Sequence, residues 1–152
     1  MSDVMNILIV GVGGQGTILA SRVLSGVVQK IGKDVKVSEI HGMAQRGGSV
    51  VTQVRYGDRV ASPIIPLGQA DIILAFEKLE ALRWLPYLKQ DGGILINDQR
   101  LDPMPVIMGA AEYPDHAVDT IRAQRPKVIV IDALPLAIEA GNIKAVNVVL
   151  LG

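Results

Sequence analysis

Residues 6–31 constrain the fold more than any other stretch of this chain. Ile7-Leu8-Ile9-Val10 is an apolar run without alternation, which suits a strand covered on both faces. Gly11-Val12-Gly13-Gly14-Gln15-Gly16 follows, and then a helical pattern from Thr17. Ile18, Leu19, Val23, Leu24, Val27, Val28 and Ile31 recur on one helical face, with Ser21, Arg22, Ser25, Gln29 and Lys30 opposite. Gly11, Gly13 and Gly16 fit G-x-G-x-x-G in a strand–turn–helix setting. A helix start offers free N–H groups and the positive end of a dipole, and glycines let an anion approach the backbone. The turn is therefore a candidate phosphate or carboxylate contact, built from Gly11, Gly13, Gly14, Gln15 and Gly16. The competing expectation is that its glycines serve only the sharp bend and close helix–strand packing.

The next strand is Val35–Ile40, with Glu39 near its end, 23 residues beyond Gly16. In a dinucleotide-binding unit an acid at that place holds a ribose hydroxyl. The pattern then departs from such a unit. His41-Gly42-Met43-Ala44-Gln45-Arg46-Gly47-Gly48 is eight residues long, too short for a helical crossover between parallel strands. Ser49–Tyr56 alternates, with Val50, Thr52, Val54 and Tyr56 on one face, so this third strand is expected to run antiparallel. Gly57-Asp58 reads as a hairpin turn into Arg59–Ser62. With strands one and two taken as neighbours, the glycine turn and the 41–48 loop share one crevice at the strand ends. Arg46 brings a planar fork of donors for a carboxylate or phosphate, Gly47-Gly48 a backbone nest, and His41 and Gln45 neutral polar reach.

A βα rhythm resumes at Asp71. Strands are expected at Ile72–Phe76, Ile94–Ile96 and Val128–Ile131, and helices at 77–88, 114–124 and 134–140. Val106–Met108 reads weakly as a strand. The apolar tail, Val146–Gly152, suggests a strand by composition. Glu77 and Asp98 fall at strand ends, where capping is the expected role. The whole predicts an α/β fold of three layers, Rossmann-like, in one domain over residues 1–152, with a mostly parallel sheet and an antiparallel hairpin after strand two.

Composition narrows function. There is no cysteine, which excludes a thiolate-ligated iron–sulfur cluster, a cysteine–zinc site and a cysteine nucleophile on this chain. Two histidines, His41 and His116, lack ligand spacing, so no metal site is expected. Fifteen basic and fifteen acidic residues give no field for nucleic acid or membrane. No apolar run reaches the roughly 20 residues that span a bilayer, and the N-terminus lacks a signal-peptide pattern, so a cytoplasmic location is expected. On the residues alone, a subunit contributing a loop to a shared site, a stand-alone dinucleotide-binding domain and a non-catalytic assembly domain all stay open.

The pairing of Gly11–Gly16 with Glu39-Ile40-His41-Gly42-Met43-Ala44-Gln45-Arg46-Gly47-Gly48-Ser49-Val50 resembles the gamma-type domain of 2-oxoacid:ferredoxin oxidoreductases. Within them it is most similar to the beta subunits of indolepyruvate:ferredoxin oxidoreductases. The later βα units and Asn147-Val148-Val149-Leu150-Leu151-Gly152 extend the similarity along nearly the whole chain. The resemblance implies a two-subunit enzyme that oxidatively decarboxylates aryl pyruvates with coenzyme A and reduces ferredoxin. It places thiamine diphosphate, Mg and the iron–sulfur clusters on a large alpha subunit, and this sequence has no Gly-Asp-Gly diphosphate signature of its own. The chemistry of the turn and loop, rather than the resemblance, makes Gly11, Gly13, Gly14, Gln15, Gly16, Arg46, Gly47 and Gly48 candidate cofactor contacts, with Arg46 and His41 candidates at a shared catalytic site. The resemblance implies activity only in the complex, with self-association of the isolated chain. It also turns the tail into a helix start and, because family members continue into further helices, leads to the expectation of a C-terminally shortened chain.

Overall fold

The computed structural model describes residues 3–41 and 47–152. Its elements in chain order are β1 (Met5–Val12), α1 (Thr17–Lys30), β2 (Asp34–His41), β3 (Ser49–Gly57), β4 (Ala70–Ala75), α2 (Lys78–Trp84) and β5 (Leu88–Asn97). They continue with α3 (Met104–Ile107), α4 (Ala117–Gln124), β6 (Lys127–Ile131), α5 (Ala133–Glu139) and α6 (Val146–Leu151). Six strands form one sheet in the order β2-β3-β1-β4-β5-β6. β1, β4, β5 and β6 are parallel, and β3 is antiparallel to both β1 and β2.

Alternation along β1 separates two cores. Leu8 and Val10 pack with Val51, Ile73, Ala81 of α2 and Ile121 of α4 on one face. Ile7 and Ile9 pack with Val54, Ala20 of α1, Ala133 of α5 and Leu150 of α6 on the other. These are the three predicted layers, with a central strand buried on both sides.

Several local expectations are corrected. β2 does not lie beside β1, because β3 inserts between them and takes β1 as its second partner. Arg59–Ser62 forms no strand. Arg55 instead ties this segment down by donating to the carbonyls of Ser62 and Ile64 at 2.9 and 3.0 Å, while Gln53 accepts from the Ile65 N–H at 2.6 Å. Val106–Met108 belongs to the short helix α3 and its end, not to a strand. Pro103 and Pro105 withhold the N–H groups a ladder needs and sit where a helix start tolerates them. Pro86 converts the end of α2 into a tight turn, Leu85–Tyr87. β5 starts as early as Leu88, with a register shift opposite Ala70/Ile72 that accommodates Gly92. The tail is the helix α6 rather than a strand. Among the described residues, no helix is long and apolar enough to cross a membrane.

Candidate functional site

β1 ends at Val12, opposite Ser49, the first residue of β3. Because the two strands are antiparallel, the bend that leaves β1 and the loop that enters β3 meet at the same sheet edge. The Gly13 N–H donates to the Gly48 carbonyl at 2.9 Å, so the two bends are joined directly. The shared rim expected from the sequence is present, although the reason differs: an antiparallel pair makes it, not two neighbouring parallel strands. His41, Val50 and Gly11 form one lateral row across β2, β3 and β1. Gln45 and Arg46 lie outside the described residues, as do Gly42, Met43 and Ala44.

The glycines divide by role. A Cβ on Gly11 would come within 2.9 Å of Gln15 Oε1 and 3.1 Å of the Phe76 side chain, so this glycine serves packing. Gly16 caps α1 at φ +81°, and a Cβ there would lie 2.6 Å from the Asn147 side-chain nitrogen. Gly14 has φ +96° with open space around it. Gly13 borders three clefts. The first, about 540 Å³, is lined by Gly14, Gly16, Thr17, Ile18, His41 and Val50. A second passes Gln15, Leu19, Gln99, Lys144 and Asn147. A third, about 700 Å³, runs between Gly47 and the Arg100-Leu101-Asp102 segment, with Ile107 at its rim. Gly14 and Gly47 thus have open space beside their backbone, Gly13 borders the clefts with its N–H engaged by Gly48, and Gly11 and Gly16 hold the scaffold.

Gln15 is a bracket. Its Oε1 accepts from the Val12 N–H at 2.7 Å, and its Nε2 donates to the Phe76 carbonyl at 3.0 Å and to Gln99 Oε1 at 3.1 Å. Asn97 continues the network: it donates to the Phe76 carbonyl and to Gln99, and accepts from the Ala133 N–H at 3.1 Å. One chain of amides therefore locks the ends of β1, β4, β5 and β6 together. Asn147 of α6 donates to the Gly16 carbonyl at 3.3 Å, fastening the C-terminal helix to the start of α1.

Two buried carboxylates lie beside the third cleft: Glu77 caps α2 as the sequence led us to expect, but its remote partners, and Glu80 altogether, escaped sequence reasoning. Glu77, 1% exposed, accepts from the Glu80 N–H at 2.9 Å, from the Leu101 N–H at 3.2 Å and from the Tyr113 hydroxyl. Burial, then the Glu77 carboxylate, push the Tyr113 phenol well above its ordinary value. Arg100 stacks 4.3 Å from the centroid of the Tyr113 ring and pairs with Asp102 and Asp115. Glu80, 4% exposed, accepts from Ser49 Oγ at 2.5 Å, Arg83 Nε at 3.3 Å and Trp84 Nε1 at 3.3 Å. Two acids in an ordinary-looking helix start gave no warning of these remote partners, since first-turn carboxylates are common helix caps.

Glu39 is exposed on β2, two strands and about 10 Å from β1 at normal strand spacing. It is not placed beside the glycine turn as a ribose-holding acid would be. His116 is solvent-exposed at the start of α4, near Asp119. Among the described residues, no three acid or imidazole side chains gather into a group able to hold a metal ion.

The fold is an α/β sheet whose antiparallel third strand brings a glycine bend and a facing loop together at one edge. Residues 6–152 match the family described as pyruvate ferredoxin/flavodoxin oxidoreductase, and the chain belongs to that family. Its relatives include the indolepyruvate oxidoreductase subunit IorB of Pyrococcus horikoshii, 46% identical over 150 residues, which are 97% of this chain and 74% of that protein. Among solved structures, the pyruvate oxidoreductase subunit PORC of Thermotoga maritima aligns over 97% of this chain and 72% of its own, with TM-score 0.66 and 19% identity. A 2-oxoglutarate:ferredoxin oxidoreductase from Magnetococcus marinus, with 2-oxoglutarate, coenzyme A and succinyl-CoA bound, aligns over 95% of this chain and 22% of its own, at TM-score 0.63 and 18% identity. The same fold thus occurs both as a subunit and as a fraction of a much longer chain.

Proposed function

We propose that this chain is the small subunit of a thiamine-dependent 2-oxoacid:ferredoxin oxidoreductase acting on aryl pyruvates such as indolepyruvate. The single observation that carries the reading is the joining of the glycine bend to the Gly47–Gly48 loop through Gly13 and Gly48, in a chain without redox residues. The 46% identity to an indolepyruvate oxidoreductase subunit supports the substrate class.

The residues present do not fit the electron-carrying or decarboxylating groups. There is no thiolate for an iron–sulfur cluster, and among the described residues no carboxylate group for the Mg of a diphosphate site. Those groups belong to a large subunit, where thiamine diphosphate with Mg supplies decarboxylation and the clusters carry electrons to ferredoxin. This chain contributes a wall. Gly14 and Gly47 let an anionic portion of coenzyme A or substrate approach the backbone, and His41 borders the first cleft with polar reach; Arg46, whose place lies outside the described residues, is proposed from its chemistry to add cationic reach.

Co-expression with a large subunit and an assay of indolepyruvate-dependent, coenzyme A-dependent ferredoxin reduction tests this. The large subunit alone is expected to be inactive, and Arg46→Ala in the complex is expected to cut kcat/KM by about tenfold or more, the loss of one charge-assisted contact. Full activity of the large subunit alone removes the subunit role, and unchanged kinetics of Arg46→Ala remove the loop role.

A further inference from the structure

We infer that Glu80 is a positioning residue that sets the loop entering β3 against the glycine bend, acting through Ser49. Ser49 lies between two fixed points. Its hydroxyl donates to Glu80 Oε2 at 2.5 Å, and the residue before it, Gly48, accepts from the Gly13 N–H at 2.9 Å. Ser49 also pairs with Val12 at the end of β1. The path from α2 to the bend is therefore Glu80, Ser49, Gly48, Gly13, each step a hydrogen bond or a peptide bond.

The chemistry of position 80 supports a positioning role. Its neighbours Ala81 of α2 and Leu85 of the turn that follows are buried apolar residues in the core. A carboxylate there costs free energy unless it is fully hydrogen-bonded, and an aliphatic side chain is the cheaper way to fill such a site. Glu80 gains three donors from three directions, of which only Ser49 lies outside its own helix. That one tertiary bond ends at the loop. Glu77, one turn earlier, does the same for the opposite wall, holding the Leu101 N–H. Both sides of the cleft between Gly47 and Arg100–Asp102 thus hang from the first turn of α2. The functional part of this inference rests on the reading of the loop given above; the structural part does not.

Amide hydrogen exchange of the full 152-residue chain, read by NMR, tests the positioning. In Ser49→Ala and Glu80→Ala the Gly13 amide is expected to exchange about tenfold or more faster than in the wild type, while Leu8 and Ile9, deeper in β1, keep their rates. Glu80→Gln, which retains an acceptor oxygen, is expected to restore slow exchange at Gly13. Unchanged Gly13 protection in Ser49→Ala overturns the proposal, and Ser49→Ala carries the test if Glu80→Ala fails to fold. Failure of Glu80→Gln to restore protection also overturns it. In the complex with the large subunit, Ser49→Ala is expected to raise KM for coenzyme A more than it lowers kcat. Fast exchange at Gly13 with unchanged kinetics keeps the positioning role and removes the functional reading of the loop.

Discussion

At the scale of single residues, the glycine bend separates glycines needed for shape from those left free for a ligand. Gly16 combines a left-handed backbone with a side chain 2.6 Å from where its Cβ would be, so both strain and a clash oppose substitution. Gly14 has only the backbone constraint. Gly14→Ala is therefore expected to cost about 1–2 kcal/mol in urea unfolding, and Gly16→Ala clearly more. Equal costs would contradict the division. Tyr113 gives a pH prediction. Its phenol titrates higher in the folded state than in the unfolded chain, so the unfolded state loses its proton first as pH rises. The associated stability is intact below about pH 10, the ordinary phenol value, and declines above it. Denaturant midpoints measured from pH 8 to 11 should fall more steeply for the wild type than for Tyr113→Phe. The candidate residues were unequally legible at this scale. The glycines and His41 announce themselves by motif and spacing. Glu77 and Glu80 do not, because nothing local distinguishes a buried carboxylate with remote donors from a solvated helix cap.

At the scale of elements, direction was readable and neighbourhood was not. Eight residues between Ile40 and Ser49 are too few for a crossover, and β3 is antiparallel as that length requires. Loop length says nothing about which second partner a strand takes, so the insertion of β3 between β2 and β1 became visible only in the pairing. Val106–Met108 shows a different limit. A three-residue apolar run has no measurable period, and flanking prolines decided its state. β1, β3 and α1, with sustained patterns, were readable, whereas the first half of β5 was not, because Lys89-Gln90-Asp91-Gly92-Gly93 carries no apolar period. Two attachments between elements are testable. Glu77→Ala removes the acceptor for two N–H groups and a phenol, and is expected to destabilise the fold by about 3 kcal/mol, the range for orphaned buried polar groups, as read from a urea midpoint. Asn147→Ala unfastens α6 from Gly16, 131 residues away, and should speed hydrogen exchange in residues 146–151 before it alters the sheet.

At the scale of the molecule, the chain exposes much apolar surface. Leu19, Val27, Ile129 and Ile138 are each more than half exposed, and Met104, Ile107 and Met108 stand out beside the third cleft. The total accessible area is 8790 Å². A monomer of 16.2 kDa is expected near about 7,400 Å², so the excess exceeds the area one partner loses in a typical protein interface. The isolated chain is accordingly expected to bind a hydrophobic dye and to self-associate with rising concentration in sedimentation runs. Assembly with the large subunit should suppress both. Dye binding undiminished in the complex would mean that the partner covers some other face.

The pairing of His41 with Val50 closes a hairpin whose stem is held on one side by β1. A connection between two strand ends anchored in this way can gain or lose residues without disturbing what supports it. Changing the number of residues between those two anchored strand ends is therefore expected to alter what reaches the rim while leaving the packed interior untouched.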